Sequence, residues 1–141
     1  MAQAIPYLAF NGNCAEAMRF YERVLGLGAK LEMMMNGADS PAAAQIPKEH
    51  AQRILHARLR FDDGSCIYAG DAPVHMPYEG IKGVTLTMSY ASTAEGEAVF
   101  KSLAGGGNVI MPFQPVFWAK GSGMLTDKFG VSWNINGEVT M

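Results

Sequence analysis

An internal repeat constrains this 141-residue chain more than any other feature of its sequence. The segment Asn13–Glu16 aligns with Ser92–Glu95 in the second half of the chain. The alignment continues over further pairs, which are Tyr21 with Phe100, Val24 with Leu103, Gly26 with Gly105, Gly28 with Gly107 and Leu31 with Ile110. A repeat of this kind marks two copies of one structural unit, so we expect a fold made of two similar modules.

Each copy of the repeat predicts one amphipathic helix. The expected capping boxes at the helix starts pair Asn13 with Glu16 and Ser92 with Glu95. Gly26 and Gly105 are expected to adopt the left-handed conformation that ends each helix. Between these signals, apolar residues recur every three or four positions and charged residues occupy the other side. Both helices should therefore pack on a sheet.

Alternating polar and apolar residues predict the strands of that sheet. The alternation is regular over Leu55–Phe61, Val84–Tyr90 and Val131–Asn136. Shorter or less regular strands are expected at 5–10, 29–35, 66–70, 108–112 and 116–120. Each half therefore has the order β-α-β-β-β. The predicted fold class is α+β, with tandem βαβββ modules over about residues 1–72 and 80–141.

The two modules are expected to form a single domain over residues 1–141, because no linker or change of composition separates them. One long loop, at about residues 36–53, contains small residues, two prolines and several charges. Loops of this length carry function, close over a site as a lid, or are disordered. The sequence leaves these three alternatives open.

Charge and composition exclude several kinds of partner. The net charge is −2 and the basic residues are scattered, so we expect no nucleic acid. No apolar run reaches the roughly 18 residues that a membrane span needs, so we expect no membrane partner. The first residues lack a basic segment and a cleavage site, and two cysteines make no disulfide framework. We therefore expect a cytoplasmic protein.

Several stretches of the chain resemble one known family. They are Tyr7–Ala17, Ile54–Leu59, Gly64–Asp71, Phe117–Gly121 and Thr126–Trp133. These stretches are similar to the PhnB-like group of the vicinal-oxygen-chelate superfamily, which includes glyoxalase I, bleomycin-resistance proteins and extradiol dioxygenases. PhnB-like members are often described as glyoxalase-like or as demethylubiquinone methyltransferases. The resemblance implies half-open sheets around a U-shaped cavity, and a homodimer.

The resemblance also implies where a catalytic metal would bind. Catalytic members of the superfamily hold a divalent metal with His, Gln or Glu on the first and last strands of each module. The matching positions here fall at Pro6 or Tyr7, at residues 68–70, at Thr85 and at Asn134, and none is His, Gln or Glu. We therefore expect no metal ligands and no cofactor, with a divalent metal as the alternative.

The strand that contains His56 carries the first candidate ligand-binding residues. His56, Arg58 and Arg60 alternate with apolar residues and should share one face. On a cavity wall, His56 would act as a base or orient an anion, and the two arginines would bind a carboxylate or phosphate. The alternatives are a structural histidine and arginines paired with acids such as Asp62 or Asp71. The other two histidines, His50 and His75, lie in expected loops.

Five further candidate ligand-binding residues lie in the matched stretches or at the positions that the resemblance implies for metal ligands. They are Asp71, Thr85, Trp118, Lys120 and Asn134. For Asp71 the alternative is a carboxylate that caps turn amides, for Trp118 it is packing, and for Lys120 it is a solvated strand end. Cys14 and Cys66 are expected to be inert thiols.

Two functions remain open from the sequence. The first is a metal-independent small-molecule binding protein of the bleomycin-resistance type. The second is a metal-dependent lyase, isomerase or dioxygenase of the vicinal-oxygen-chelate superfamily. The small number of histidines favours the first function, and the identity of the ligand and the presence of enzyme activity stay open.

Overall fold

The computed structural model describes residues 2–141, and the chain divides into two compact units, Met1–Gly80 and Ile81–Met141. The elements of the first unit are β1 (Tyr7–Phe10), α1 (Cys14–Val24), β2 (Lys30–Asn36), β3 (Ile54–Arg60) and β4 (Cys66–Asp71). Two short 3₁₀ helices, Ala43–Gln45 and Lys48–His50, lie within the expected long loop. The first sheet has the order β1-β4-β3-β2, with β1 parallel to β4 and the other pairs antiparallel.

The second unit repeats the same arrangement. Its elements are β5 (Thr85–Ser89), α2 (Thr93–Ala104), β6 (Asn108–Val116), β7 (Ala119–Thr126) and β8 (Ser132–Asn136). The second sheet has the order β5-β8-β7-β6, again with one parallel pair, β5 and β8. The predicted α+β class and the βαβββ order of each module are confirmed. That both units belong to one domain stays a prediction. None of the helices within residues 2–141 is long and apolar enough to cross a membrane.

The core of each unit lies between its helix and one face of its sheet. In the first unit the fully buried Met18 and Tyr21 of α1 and Leu59 of β3 belong to this core, and α1 contacts β2, β3 and β4. Each large apolar side chain buried in this way contributes roughly 1.5–3 kcal/mol. In the second unit, Trp133 and Leu125 are fully buried, and α2 contacts β6, β7 and β8.

A carboxylate from β4 caps helix α1, and the predicted cap at Asn13 is wrong. Asn13 makes no side-chain capping bond. Instead Asp71 Oδ1 accepts hydrogen bonds from the backbone N–H groups of Gly12 (2.7 Å) and Cys14 (3.1 Å). The register of β1 on β4 places Asp71 opposite Phe10, four residues before the helix starts. The positive end of the helix dipole favours a carboxylate at this position.

The other predicted helix ends are partly confirmed. Ser92 caps α2 by accepting from the N–H of Glu95 at 3.2 Å. Gly26 follows α1 with a φ of +68°, as expected. Gly105 is not left-handed, because its φ is −58°, and Gly106 at +76° supplies that conformation one residue later. The repeat therefore aligns these two glycines in sequence but not in backbone conformation.

Strand β7 lies further along the chain than the predicted 116–120. It runs over Ala119–Thr126 and includes Gly121 and Gly123, although glycine in the interior of a strand usually weakens it. A Cβ atom on Gly121 would lie 2.3 Å from the Phe113 ring, and one on Gly123 would lie 2.6 Å from the Phe100 ring. The two aromatic rings occupy the space that a side chain at position 121 or 123 would need, so both positions require glycine.

We expect Asp71→Ala to lower the free energy of unfolding by about 2–4 kcal/mol, because backbone N–H groups lose a charged acceptor. The control Asn13→Ala should change it by less than about 0.5 kcal/mol, since this side chain makes no capping bond. Urea denaturation followed by circular dichroism measures both values. Equal losses in the two variants would contradict the assignment of Asp71 as the cap of α1.

Candidate functional site: the open face and the cavity of the first unit

Strand β3 places His56 and Arg58 on the face of the first sheet that points away from α1. Ala57 and Leu59, which alternate with them, are fully buried on the helix side. Arg60 follows the same alternation, and its Nε donates to Glu32 Oε2 of β2 at 3.0 Å. The partner of Arg60 is therefore Glu32 and not one of the aspartates considered from the sequence, Asp62 and Asp71.

A chain of hydrogen bonds connects Arg58, His56 and Tyr7 across this face. Arg58 Nε donates to His56 Nε2 at 2.9 Å, so this nitrogen is the acceptor and the ring proton lies on Nδ1. His56 Nδ1 lies 3.3 Å from Tyr7 Oη and donates to it. The Tyr7 hydroxyl in turn lies 3.4 Å from the carbonyl oxygen of Leu55. Neither nitrogen of His56 keeps a free lone pair in this arrangement.

Two tyrosine rings enclose His56. The Tyr7 ring is stacked on it at 5.6 Å between centroids, and the Tyr68 ring meets it edge-on at 5.1 Å. The guanidinium carbon of Arg58 lies 5.2 Å from the centre of the Tyr68 ring. Burial lowers the pKa of His56, and the positive charge of Arg58 lowers it further. Burial also raises the pKa of Tyr7, with the Cys14 thiol as a second cause. His56 is thus neutral at pH 7 and Tyr7 keeps its proton.

Gly70 on β4 makes room for the Tyr7 side chain. A Cβ atom on Gly70 would lie 2.8 Å from Tyr7 Oη and 2.9 Å from the carbonyl oxygen of Leu55. The neighbouring strand β1 begins at Tyr7, which is directly opposite Tyr68. A larger residue at position 70 would therefore push the tyrosine hydroxyl off the sheet.

A cavity of about 710 Å³ lies beside Tyr7, and all of its lining residues belong to the first unit. The sheet contributes its floor, the long loop contributes one wall, and the segment after β4 contributes the other. The floor comprises Tyr7, Ala9, Ile54, Leu55, Gly70 and Asp71; the loop wall comprises residues 45–47 with His50 and Arg53; the second wall comprises residues 72–80. The predicted loop is therefore ordered into a cavity wall.

Arg53 brings a positive charge to this cavity. Its Nη2 donates to the backbone oxygen of Ala72 at 2.6 Å and to Asn11 Oδ1 at 3.1 Å. None of the ion pairs found within residues 2–141 includes Arg53. The guanidinium is thus held by neutral oxygens at the edge of an apolar space.

The acidic residues of the cavity are Asp71 and Glu79. Besides its bonds at the start of α1, Asp71 accepts the N–H of Ile54 with Oδ2 at 2.8 Å. Glu79 is exposed, as is His75, whereas His50 is half-buried. Asp71 therefore acts as a structural carboxylate, which is the alternative that the sequence offered for it.

The candidate residues of the second half lie on the second sheet or next to it. Asn134 Oδ1 accepts from Ser122 Oγ at 3.2 Å, and Trp118 Nε1 donates to Asn136 Oδ1 at 3.4 Å. Lys120 forms an ion pair with Glu138. Asn134 pairs with Thr87 in the parallel ladder, whereas Thr85, the position estimated from the sequence, pairs with Ser132.

Of the eight candidate residues, Asp71 alone lines the cavity of the first unit. The candidates were His56, Arg58, Arg60, Asp71, Thr85, Trp118, Lys120 and Asn134. Sequence reasoning missed Arg53 and Tyr7 as cavity residues. A signal for Arg53 was present, because it is the last residue of the long loop before β3 and the loop's only arginine.

The two cysteines have no reactive environment. Cys14 is fully buried, and burial raises the pKa of its thiol to about 12, with Asp71 as a second cause. Cys66 is half-buried and its Sγ lies 3.6 Å from the carbonyl oxygen of Gly64. A thiol with a raised pKa carries little thiolate at neutral pH, which agrees with the expected inert role.

The residues at the positions implied for superfamily metal ligands do not fit a divalent metal. Tyr7 pairs with Tyr68 in the first sheet, and Thr87 pairs with Asn134 in the second. Phenol, hydroxyl and amide groups are weaker ligands than His or a carboxylate. Within residues 2–141 no group of three or more His, Cys, Asp or Glu side chains is arranged to hold a metal. The absence of a cofactor stays a prediction.

Comparison with known proteins identifies the family. A family model described as 3-demethylubiquinone-9 3-methyltransferase matches residues 2–136. The chain belongs to this family, the PhnB-like family. It is 38% identical to Protein YjdN of Escherichia coli K12, over 93% of this chain and 92% of YjdN.

Solved structures show the same fold. Protein PA1353 from Pseudomonas aeruginosa is 44% identical, with a TM-score of 0.88 over 98% of both chains. The PhnB protein from Bacillus cereus has a TM-score of 0.77 at 24% identity, over 96% of this chain and 99% of that one. A glyoxylase/bleomycin resistance protein/dioxygenase domain from Frankia sp. has a TM-score of 0.65 at 14% identity, over 100% and 98%. The PhnB-like chain thus has the glyoxalase/bleomycin-resistance fold.

We expect NMR titration to give His56 a pKa below the ordinary 6.5, with its proton on Nδ1 in the neutral form. Because the folded pKa lies below the unfolded value, His56 makes the protein less stable as the pH falls from about 6.5 toward the folded pKa. Arg58→Met should raise the pKa of His56, since a neighbouring positive charge disappears. Arg60→Met, which removes a charge paired with Glu32, is the control. A His56 pKa above 6.5, or an unchanged value in Arg58→Met, would contradict the hydrogen-bond chain.

Proposed function

We propose that this PhnB-like chain is a metal-independent small-molecule binding protein of the bleomycin-resistance type, which takes a ligand into the cavity of the first unit and releases it unchanged. The observation that carries the proposal is the cavity itself. Its volume of about 710 Å³ lies within the roughly 300–1,000 Å³ that is typical of small-molecule sites. Homodimer formation and a cytoplasmic location, expected from the sequence, are parts of the same proposal.

The character of the walls supports a small apolar ligand. Leu55, Val74 and Met76 line the cavity and are 43%, 52% and 55% exposed. A ligand that covers such side chains gains roughly 25 cal/mol for each Å² of apolar surface removed from water. Methionine adapts its shape to different partners, because its side chain is unbranched and flexible.

The polar groups near the cavity support binding more than catalysis. General acid–base chemistry needs a group that can exchange a proton with the substrate. Both nitrogens of His56 take part in hydrogen bonds, Tyr7 keeps its proton, and both oxygens of Asp71 accept backbone N–H groups. To act as a base in a reaction, His56 or Asp71 would first have to break these hydrogen bonds.

Binding of N-phenyl-1-naphthylamine, a neutral apolar fluorophore, tests the proposal. We expect its fluorescence to rise on binding to the wild-type protein. Ala9→Trp should weaken binding about tenfold or more, because an indole would fill the space above the floor of the cavity. Ala44→Trp is the control, since Ala44 is exposed in the long loop but does not line the cavity. Equal affinities in the two variants would place the ligand elsewhere and contradict the proposal.

Metal analysis separates the proposal from its alternative, a metal-dependent lyase, isomerase or dioxygenase. The protein is purified without a histidine tag and incubated with Ni²⁺, Zn²⁺, Mn²⁺ or Fe²⁺. After dialysis we expect no stoichiometric metal, and fluorophore binding that is unchanged by EDTA. Stoichiometric metal bound by side chains of the sheets would overturn metal independence.

A further inference from the structure

We propose that the ligand of this cavity is an apolar molecule with one carboxylate group, and that the guanidinium of Arg53 binds that carboxylate. The inference rests on the proposed function, because it names the chemical class of the molecule held in the same cavity. It is carried by the position, the hydrogen bonds and the unpaired charge of Arg53.

The structure fixes Arg53 at the edge of the cavity. Its backbone N–H donates to the carbonyl oxygen of His50 at 3.1 Å, and its own carbonyl accepts from the N–H of Gly37 at 3.1 Å. The Nη2 bonds to Asn11 and Ala72 hold the end of the side chain. A ligand would therefore meet a guanidinium that is already in place, which reduces the entropy lost on binding.

The other donors of the guanidinium, on Nη1 and Nε, have no hydrogen-bond partner among residues 2–141. Every side-chain hydrogen bond of Arg53 to residues 2–141 uses Nη2. The N–H groups on Nη1 and Nε are left for a ligand. Guanidinium N–H groups form a planar fork that matches the two oxygens of a carboxylate, and such charged pairs are stronger than neutral hydrogen bonds.

The charge of Arg53 has no partner of its own in the part of the chain that the structure describes. Arg60 pairs with Glu32, and none of the ion pairs found there includes Arg53. A guanidinium stays charged at every physiological pH, and partial burial of an unpaired charge costs free energy. A carboxylate on the ligand would supply the missing negative charge.

Two other polar side chains of the cavity, Asp71 and Tyr78, already have hydrogen-bond partners within the protein. The oxygens of Asp71 already accept backbone N–H groups, and the Tyr78 hydroxyl donates to the carbonyl oxygen of Ala9 at 3.0 Å. The Tyr7 hydroxyl is 3.4 Å from its acceptor, well beyond the usual distance of about 2.8 Å, so it can turn toward a ligand oxygen.

Two probes of equal shape test the inference, anthracene-2-carboxylate and anthracene-2-carboxamide. Fluorescence titrations near neutral pH give both affinities. We expect the wild-type protein to bind the carboxylate about tenfold or more tightly than the amide, because a charged pair replaces a neutral hydrogen bond. Added KCl should weaken only the carboxylate complex.

Substitutions identify the residue that selects the charge. Arg53→Met should remove most of the preference for the carboxylate and leave the affinity for the amide within about twofold. Arg53→Lys keeps a positive charge without the planar fork and should retain part of the preference. Arg19→Met removes an exposed charge from α1, outside the cavity, and should leave both affinities unchanged.

Different results of these titrations would overturn the proposed function or only the assignment of a carboxylate ligand. Failure of both probes to bind the wild-type protein would count against the proposed function. Equal affinity of the wild-type protein for both probes would overturn the carboxylate inference alone. A preference that survives in a folded Arg53→Met protein would show that another group binds the anion. If Arg53→Met fails to fold, the comparison of the two probes on wild-type and Arg53→Lys proteins decides.

Discussion

The carboxylate of Asp71 is the interaction on which the first unit depends. One oxygen accepts the N–H groups of Gly12 and Cys14 at the start of α1, and the other accepts the N–H of Ile54 at the start of β3. Three segments that are distant in sequence therefore meet at one side chain. Backbone N–H groups that are removed from water need such an acceptor. Asp71 also lines the floor of the cavity. One side chain therefore contributes both to the stability of the fold and to the shape of the cavity.

Asp127 performs a similar task in the second unit. Asp127 is 3% exposed. Its Oδ1 accepts hydrogen bonds from the backbone N–H groups of Phe129 and Val131, and its Oδ2 accepts one from Trp133 Nε1 at 2.9 Å. A carboxylate thus holds the turn before β8 and fixes the largest side chain of that core. Both units use a buried or half-buried acid as an acceptor of several N–H groups. Several hydrogen bonds to one side chain offset the cost of removing its oxygens from water.

The repeat and the alternation of residues were enough to predict the order of elements, because both depend on local burial. The extent of β7 and the cap of α1 were not accessible in the same way. Gly121 and Gly123 belong to a strand only because the rings of Phe113 and Phe100 fill the space beside them. Asp71 caps α1 only because β4 lies parallel to β1. Both effects come from residues that are far apart in sequence.

The candidate site was less predictable than the fold. The alternation of β3 placed His56 and Arg58 together, but the walls of the cavity come from residues 45–47, His50, Arg53 and residues 72–80, where no periodic pattern exists. Arg53 was visible as a charge at the end of the long loop, yet its role depends on Ala72 and Asn11, which hold its guanidinium. Such contacts between irregular segments leave no trace in a single sequence.

The walls of the cavity and the core of the first unit are made by different parts of the chain. The core lies between α1 and the sheet, whereas most of the wall residues lie in two segments outside the strands. Substitutions in these segments change the shape of the cavity at little cost to folding, because surface loops tolerate change better than packed elements do. Relatives with this fold can thus differ in the shape of this cavity while the sheet and helix stay the same. For protein engineering, the two segments are the natural place to reshape the cavity.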